Sequence, residues 1–349
     1  FFTAGSIAQF MASLFGTGID EIRLLDAGAG VGSLTAAFVE RVCQEPSPPR
    51  RVSVVAYELD SLLVEYLHLI LARCRQVSED RGIAFESRIL EQDFVVSALE
   101  MLRGGLFAIE RLSFNRAILN PPYKKIRSDS QHRRLLNSIG LETTNLYAAF
   151  LALAADLLED GGELVAITPR SFCNGPYFKP FRKRFLKTMT LRRIHVYESR
   201  EEAFSTDGVL QENIIVHAVK AGEKGDVLVS ASQGPAGESM TLHSVNYEQV
   251  VRPDDPDLII HLATSEMDQF VLDRLAVFDH TLENLSVEVS TGRVVDFRVR
   301  ELLRSDPQPG TVPLIYPTHF QDGYVLWPKP GGKKPNAISN VPEAGPLFL

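Results

Sequence analysis

The sequence has few of the residues that would mark a secreted, membrane-spanning or metal-binding protein. Only three of its 349 residues are cysteines, and Cys43, Cys74 and Cys173 are scattered without a CxxC pair. An odd number of separated thiols argues against a disulfide framework or a zinc site, and favours reduced thiols in a cytoplasmic protein. The eight histidines also lack metal-ligand spacing, so we expect no metal.

No apolar run is long enough to cross a bilayer, so no membrane association is expected. The composition, with 45% hydrophobic and 23% charged residues, is that of an ordinary globular protein. The length exceeds that of one ordinary core and therefore predicts two domains. The net charge of −8 argues at first sight against a polyanionic partner, but the distribution of charge matters more than its sum.

Strand-like and helix-like stretches alternate over the first part of the chain. The strands are apolar and β-branched on both faces, as in a sheet that helices cover on each side. We therefore predict a doubly wound α/β domain over residues 1–222. Residues 223–349 are predicted to form a polar, glycine-rich linker and a loop-rich C-terminal region, because Asp306 to Pro346 is rich in proline and glycine.

A glycine-rich stretch, LLDAGAGVGSLT, follows the first predicted strand. Gly28, Gly30 and Gly32 allow a sharp turn and a close approach of the backbone to a ligand. Their spacing is G-x-G-x-G, whereas the dinucleotide fingerprint is G-x-G-x-x-G. Asp26 precedes them, and a carboxylate at this point repels phosphate but suits a cation. We therefore expect Asp26, Ala27, Gly28 and Gly30 to bind a cofactor that carries positive charge.

The next two strand ends carry an acid and an acid–aromatic pair. Glu58 ends the second predicted strand, where a carboxylate can hydrogen-bond both hydroxyls of a ribose. Asp93 ends the third strand unit and offers an acceptor for an exocyclic amine, while Phe94 offers a ring to lie on adenine. Ligands of such sheets bind at the carboxyl ends of the strands. The pattern describes a pocket for a positively charged adenosine, and the predicted cofactor is S-adenosyl-L-methionine.

The fourth predicted strand ends in RAILNPPYKK. Asn120 offers an amide oxygen, and Pro121 and Pro122 fix φ and lack an N–H, so the backbone here offers carbonyls only. Two convergent acceptors would hold an NH2 group by both hydrogens and expose its lone pair to a sulfonium methyl. Tyr123 can stack on the ring that bears the amine. The motif predicts methyl transfer to an amine, in which positioning and polarisation supply most of the catalysis.

Together these motifs resemble the gamma-class N6-adenine DNA methyltransferases, in particular the restriction–modification methylases of the Eco57I/PaeR7I-like type. FFTAGSIAQFM resembles the segment that closes over the methionine part of the cofactor, here Thr3, Ala4 and Gly5. The remaining motifs follow in the family's order: DAGAGVG resembles the glycine motif, YELD the ribose acid, QDF the adenine contact, NPPY the catalytic loop and LQENIIVHAVK the late motif.

In this family an aromatic residue just before the late motif packs on the flipped adenine. Phe204 in EEAFSTDG is the best match, with Tyr197 and Phe178 nearby. The resemblance implies a Rossmann-like S-adenosylmethionine-dependent methyltransferase sheet and a C-terminal recognition region that binds a specific double-stranded DNA sequence. It also implies a place in bacterial restriction–modification, in the cytoplasm at the nucleoid. Such an enzyme could act with a cognate restriction endonuclease.

Basic residues are concentrated after the catalytic motif. Lys124 and Lys125 open the segment Lys124 to Arg134, which carries one acid, Asp129, and the segment Lys179 to Arg193 carries none. We expect both segments near the strand ends, where they would bind DNA phosphates. Such contacts help to offset the few kcal/mol that base flipping costs.

Other functions share parts of this pattern. Protein-glutamine methyltransferases of the release-factor type share Asn-Pro-Pro-Tyr, although they carry a helical domain before the glycine motif. An RNA adenine methyltransferase also fits. The glycine spacing and Asp26 disfavour a nucleotide-binding oxidoreductase, and the intact motif from Asn120 to Tyr123 disfavours a catalytically silent nucleic-acid-binding subunit.

Overall fold

A computed structural model describes residues 3–103, 112–197, 212–232, 234, 240–275, 277–278, 280, 282–289 and 292–348. The chain forms two compact units, residues 1–275 and 276–349. The boundary predicted at residue 222 therefore lies inside the first unit.

The first unit contains the following elements. Its helices are α1 Gly5–Ser13, α2 Ser33–Cys43, α3 Ser61–Glu79, α4 Phe94–Arg103, α5 Gln131–Asn137, α6 Leu146–Leu157, α7 Lys179–Thr188, α8 Tyr247–Val250 and α9 Glu266–Leu275. Its strands are β1 Glu21–Ala27, β2 Arg51–Tyr57, β3 Ala84–Leu90, β4 Phe114–Leu119, β5 Leu158–Pro169, β6 Met189–Tyr197, β7 Asn213–Lys220, β8 Val227–Ser232 and β9 Thr241–Val245.

The strands form one mixed sheet in the order β3-β2-β1-β4-β5-β7-β6-β8-β9. Strands β1 to β5 are mutually parallel, and β7 is antiparallel to both of its neighbours. The first five strands therefore present their carboxyl ends at one edge of the sheet. This is the doubly wound α/β arrangement that the alternating pattern predicts.

The core lies on both faces of this sheet. One buried cluster joins α1, α2 and α3 to the sheet, and another joins α4, α6 and α7. Strand β4 illustrates the two-sided cover, because all six of its residues are buried. Within it Ile118 packs into the first cluster, while its neighbours Ala117 and Leu119 pack into the second. A strand buried on both faces reads as a continuous apolar run, as Ala117, Ile118 and Leu119 do.

Strand β8 corrects one sequence-based expectation. The polar, glycine-rich stretch after Lys220 was expected to be a linker, but Val227 to Ser232 pairs in parallel with β6 and extends the sheet. Val227, Val229 and Ala231 are buried on it. The run is short and flanked by polar residues, so its strand character depends on pairing with β6, which no local pattern reveals.

The residues that follow the C-terminus of helix α1 attach this helix to the sheet. The Gly16 N–H donates to both oxygens of Glu163, at 3.0 and 3.2 Å. Glu163 lies on β5 and pairs with Arg116 of β4 at 2.9 Å, and its other oxygen lies 2.8 Å from Nε2 of His217 on β7. Arg116 and Glu163 are both buried. One carboxylate thus joins a helix end to three strands.

The second unit consists of short strands and long loops, as its proline and glycine content predicts. Strands β10 Leu303–Arg304, β11 Thr311–Pro313 and β14 Ala337–Ser339 form one antiparallel sheet, and β12 Phe320–Gln321 pairs with β13 Tyr324–Val325. Buried Asn336 joins the loops, because its amide donates to two carbonyls and its oxygen accepts from the Lys329 N–H at 2.8 Å. Polar contacts of this kind compensate for a small apolar core.

Candidate active site

A cavity of about 410 Å³ opens at the carboxyl ends of β1, β2 and β4. Its size is typical of small-molecule sites. It brings together the glycine loop, the ends of two further strand units and the Asn-Pro-Pro-Tyr motif, which lie far apart in the sequence. The lining residues are Gly28, Gly30, Tyr57, Glu58, Leu59, Leu63, Gln92, Phe94, Asn120, Pro121, Pro122, Tyr123, Lys124 and Phe150.

The glycine loop has the backbone conformation that its composition predicts. Gly28, Gly30 and Gly32 have φ values of +79°, +57° and +90°, a region that residues with a Cβ rarely adopt. At Gly32 a Cβ would also lie 2.8 Å from Cδ1 of Leu67. The Gly28 N–H donates to the Tyr57 carbonyl at 2.9 Å, so the loop is fixed to the end of β2.

Glu58 lines the cavity and also fixes the loops around it. Its Oε2 accepts from the Gly30 N–H at 2.8 Å, and its Oε1 accepts from the N–H groups of Leu59 and Asp60 at 2.7 and 2.9 Å. A carboxylate has about four acceptor positions, so capacity for a ligand hydroxyl remains. A ligand with two adjacent hydroxyls would share Oε2 with the Gly30 amide.

Asp26 does not line the cavity, although its sequence position suggested a direct contact with the cofactor. Its side chain is fully buried, and Thr35 on α2 donates to its Oδ2 at 2.6 Å. Burial raises the pKa of this carboxyl to about 7. Oδ1 has no hydrogen-bond partner within the described part of the chain. Ala27, the last residue of β1, is also buried and outside the cavity wall.

Asp93 is likewise set back from the cavity. Its Oδ1 accepts from the Val96 N–H at 3.1 Å, and its Oδ2 lies 2.8 Å from Nε2 of His132 on α5. Its neighbours Gln92 and Phe94 line the cavity instead. The Gln92 oxygen accepts from the Ser97 hydroxyl at 2.9 Å, which leaves its NH2 group for a ligand. From the QDF motif the sequence singled out Asp93 and Phe94 but not Gln92.

Asn120 is oriented by the N-terminal segment. Its Nδ2 donates to the Thr3 hydroxyl at 3.0 Å. The Tyr123 hydroxyl lies 3.5 Å from Oδ1, longer than the usual 2.5 to 3.0 Å or so of such a bond, so this oxygen is a largely free acceptor. Thr3 and Asn120 also share the wall of a smaller hollow beside the glycine loop. Ala4 and Gly5 are exposed and line neither space.

Tyr123 is held by an aromatic row. Its hydroxyl lies 3.4 Å from the Ile167 carbonyl. Its ring meets Tyr147 edge-on, with centroids 6.1 Å apart, and Tyr147 in turn packs on Phe178 at 5.5 Å. Burial raises the pKa of Tyr123 above its ordinary range, so its hydroxyl stays neutral at physiological pH. Tyr123 can pack or donate but is not a base.

The aromatic residues proposed to contact a flipped base differ in their placement. Phe204 lies outside the described residues. Phe178 and Tyr197 are buried, with 7% and 3% of their surfaces exposed, so neither offers a free ring face. Phe150 on α6 does line the cavity. The sequence analysis did not single out Phe150, because nothing in the helical pattern distinguishes it from the other apolar residues there.

The first basic segment presents free cations at the cavity. Lys124 lines the cavity wall, and Lys125 follows it; both are exposed. Within the described residues neither ammonium group forms an ion pair. Further along, Arg127 pairs with Asp129 at 3.3 Å. Lys124 is therefore the cation of this segment at the candidate site, and Lys125 is its neighbour in the sequence.

The second basic segment was expected to be a free cationic face, and the structure corrects this for several of its residues. Arg182 is 1% exposed and donates to the carbonyls of Phe172, Gly175 and Asp257. Arg184 pairs with Asp156 at 2.8 Å. These guanidinium groups bind backbone carbonyls and a partly buried carboxylate, which a count of charges along the sequence does not show.

Two absences hold for the residues that the structure describes. No group of three or more histidine, cysteine, aspartate or glutamate side chains is arranged to hold a metal ion. No helix combines the length and the apolar content needed to cross a bilayer.

Comparison with known proteins confirms the resemblance noted in the sequence. Residues 67–204 match the Eco57I restriction-modification methylase family. The chain is 42% identical to the Type II methyltransferase M.PstI of Providencia stuartii and 43% identical to the Type II methyltransferase M.BsuBI of Bacillus subtilis, each over 341 residues. The alignments cover 97% of this chain and 66% of each relative, so the chain spans somewhat less than two thirds of their length.

A solved structure confirms the fold. A candidate class I S-adenosylmethionine-dependent methyltransferase from Listeria monocytogenes superposes with a TM-score of 0.51 at 15% identity, covering 67% of this chain and 66% of that one. The large mixed sheet is therefore a Rossmann-like methyltransferase sheet.

Proposed function

Starting from the match of residues 67–204 to the Eco57I restriction-modification methylases, we propose that this protein transfers a methyl group from S-adenosyl-L-methionine to the N6 amine of adenine. The proposed substrate is a specific double-stranded DNA sequence within a bacterial restriction–modification system. One observation carries the proposal: Asn120 and Tyr123 line the same cavity as Gly28, Gly30 and Glu58.

The cavity fits the proposed cofactor in size and in donor set. Glu58 would accept from ribose hydroxyls, the Gly28–Gly30 backbone admits a close ligand, and Phe94 presents a ring at the wall. Asp26 would act from behind the loop, because positive charge nearby would stabilise the ionised form of its buried carboxyl group, whose pKa is about 7 and whose Oδ1 has no partner in the described part of the chain. When bound, S-adenosylmethionine supplies an electrophilic methyl group.

The protein's part in the reaction is to hold the amine. The Asn120 Oδ1 is the acceptor for one N–H, because Thr3 occupies the other end of the amide. The proline pair that follows lacks N–H groups, so no backbone donor from it competes for the amine lone pair. Drawing the hydrogens toward acceptors exposes that lone pair, and a fixed acceptor costs no reorganisation during transfer. Tyr123, kept neutral by burial, would pack on the ring.

The free ammonium groups favour DNA over a protein substrate. Lys124 is at the cavity wall and Lys125 is next to it, both exposed. Lysines at this position would neutralise phosphates beside a base that has left the stack. We assign catalysis to residues 1–222, completed by strands β8 and β9, and sequence recognition to the chain beyond the sheet. A cognate restriction endonuclease and a cytoplasmic, nucleoid-associated location are parts of the same proposal.

The direct test is incubation of the purified protein with labelled cofactor and genomic DNA from a host without adenine methylation. Nucleoside analysis should show N6-methyladenine, and modification-aware sequencing should show it at one sequence motif. Asn120→Ala should bind the cofactor with nearly unchanged affinity and lose the label. Label in 5-methylcytosine or N4-methylcytosine, in protein glutamine or only in RNA would overturn the proposal.

A further inference from the structure

The turn from Arg170 to Phe178 follows β5 and lies beside the candidate active site. The hydroxyls of Ser171 and Tyr147 are 3.0 Å apart, and the rings of Phe178 and Tyr147 are 5.5 Å apart. Tyr147 also contacts Tyr123, whose ring lines the cavity. Two points of this turn are therefore attached to the residue that packs against the catalytic motif.

The turn is fixed by contacts that leave it little freedom. Arg182, itself buried, donates to the carbonyls of Phe172 at 2.9 Å and Gly175 at 2.8 Å. A Cβ at Gly175 would lie 2.6 Å from the Ser171 carbonyl oxygen and 2.9 Å from the Phe178 ring, so the backbone closes on itself too tightly for any residue but glycine. Pro176 further restricts the chain at this point.

Tyr177 projects from this fixed turn with 78% of its surface exposed. Its neighbour Phe178 is 7% exposed, and Tyr177 is absent from the cavity wall. A single exposed ring on a protein surface is ordinary. Tyr177, however, projects from a turn that a buried arginine anchors. The turn lies beside a site that must receive a base from a duplex, so the ring is placed to contact the DNA outside the cavity.

We propose that Tyr177 inserts its ring into the DNA base stack at the position from which the target adenine leaves. This inference rests on the proposed function. Side chains inserted between base steps compensate for lost stacking, and an aromatic ring stacks on any base. The rigid turn matters here because a ring already held outward loses little freedom on insertion. Tyr177 is then a DNA-contacting residue that favours the extruded state and does not touch the reacting amine.

The test measures methylation by the full-length protein of two unmethylated duplexes, each containing the sequence motif that the enzyme modifies. In the first the target adenine is paired; in the second an abasic site lies opposite it, so that extrusion needs less help. Tyr177→Ala should slow single-turnover methylation of the paired duplex by about tenfold, the order expected for one stacking contact. It should act on the abasic duplex at nearly the wild-type rate.

Two further variants complete the design. Tyr177→Phe keeps the ring and should match the wild type on both duplexes. Tyr66→Ala removes another exposed ring, 52% exposed on α3, and should change neither rate. With 2-aminopurine at the target position, Tyr177→Ala should give weaker fluorescence than the wild type, because fewer target bases are extruded.

Either of two results would overturn the inference. Tyr177→Ala could methylate the paired duplex as fast as the wild type, or it could be slowed equally on both duplexes, which would indicate a structural role. A wild-type protein that methylates neither duplex would instead overturn the proposed function.

Discussion

The side-chain amide of Asn120 donates a hydrogen bond of 3.0 Å to the hydroxyl of Thr3, 117 residues earlier in the sequence. This bond selects which end of the amide faces the cavity, because the nitrogen is occupied and the oxygen is left as an acceptor. In the proposed reaction Thr3 would therefore contribute to amine binding through Asn120, separately from the cofactor contact that the sequence resemblance implies for it.

Replacing Thr3 tests this orientation. Thr3→Val has nearly the same shape but cannot accept the bond, so the amide should rotate freely and kcat should fall by about tenfold, the equivalent of one hydrogen bond of roughly 1 kcal/mol or more. Thr3→Ser retains the hydroxyl and should keep most of the activity. Steady-state kinetics with cofactor titration would separate the two roles. A loss confined to the cofactor KM would show that Thr3 acts on the cofactor alone.

Asp26 gives a prediction about pH. Burial raises its pKa in the folded protein to about 7, whereas the pKa of an unfolded aspartate is about 3.9. Between these two pKa values, Asp26 binds a proton in the folded state but not in the unfolded state. The contribution of Asp26 to the free energy of unfolding is therefore lost as the pH rises through 7. Asp26→Asn keeps the shape and stays neutral. Its melting temperature should exceed that of the wild type at pH 8, by a margin that shrinks toward pH 5.

A wild-type protein that melts at the same temperature as Asp26→Asn, or above it, at pH 8 would contradict this account. Thr35→Val is a useful companion variant. It removes the hydroxyl that donates to Asp26 at 2.6 Å, so it should raise the carboxyl pKa further and lower stability at high pH.

The glycine loop allows two kinds of strain to be separated. Gly32→Ala combines a φ of +90° with a Cβ 2.8 Å from Leu67, and overpacking of this kind costs about 1–3 kcal/mol in addition to the backbone strain. Gly30→Ala has no atom within 4 Å of its Cβ, so only its φ of +57° is unfavourable. We expect denaturant unfolding to show the larger loss for Gly32→Ala.

Cofactor affinity should follow a different order. Gly30 lines the cavity and donates to Glu58, so a methyl group there narrows the ligand space directly. Isothermal titration should therefore show that Gly30→Ala binds the cofactor much more weakly than the wild type, although its loss of stability is modest. Equal affinity for Gly30→Ala and the wild type would place the cofactor elsewhere.

The two lysines after the catalytic motif should contribute to DNA affinity without sequence preference. Replacing Lys124 and Lys125 by alanine removes two exposed cations, and the log–log slope of binding against salt should flatten by up to about two units. Arg73→Ala with Arg75→Ala removes the same charge from exposed positions on α3 and should leave the slope unchanged. Base preference should persist in both double variants. Equal slopes for all three proteins would argue against phosphate contacts at the cavity mouth.

The predicted site residues that line the cavity belong to short continuous motifs. Gly28, Gly30 and Asn120 each follow a strand, and the position after a parallel strand is set by the topology of the sheet. The positive φ values could be expected for the same local reason, since a chain that turns sharply from strand to helix needs glycine. Local pattern and global fold agree at these positions.

The differences between the sequence-based expectations and the structure mostly concern the direction in which a side chain points. The side chain of Asp26 on β1 is buried away from the cavity. The side chain of Asp93 contacts His132, whereas the neighbouring Gln92 lines the cavity. Phe150 reaches the cavity from a helix that is otherwise core. Strand β8 depends on a partner strand some 30 residues away, a distance at which local propensity carries no information.

Helix α1 is fixed at both ends, with consequences for how a ligand enters. Thr3 bonds Asn120 at one edge of the sheet, and Gly16 bonds the buried carboxylate of Glu163 toward the other. Between these two points Ile7, Ala8, Met11 and Ala12 of the helix are buried, so α1 cannot swing outward as a hinged cover without exposing them. Admission would instead use the side lined by exposed Leu59. Amide hydrogen exchange in α1 should accordingly be equally slow with and without cofactor.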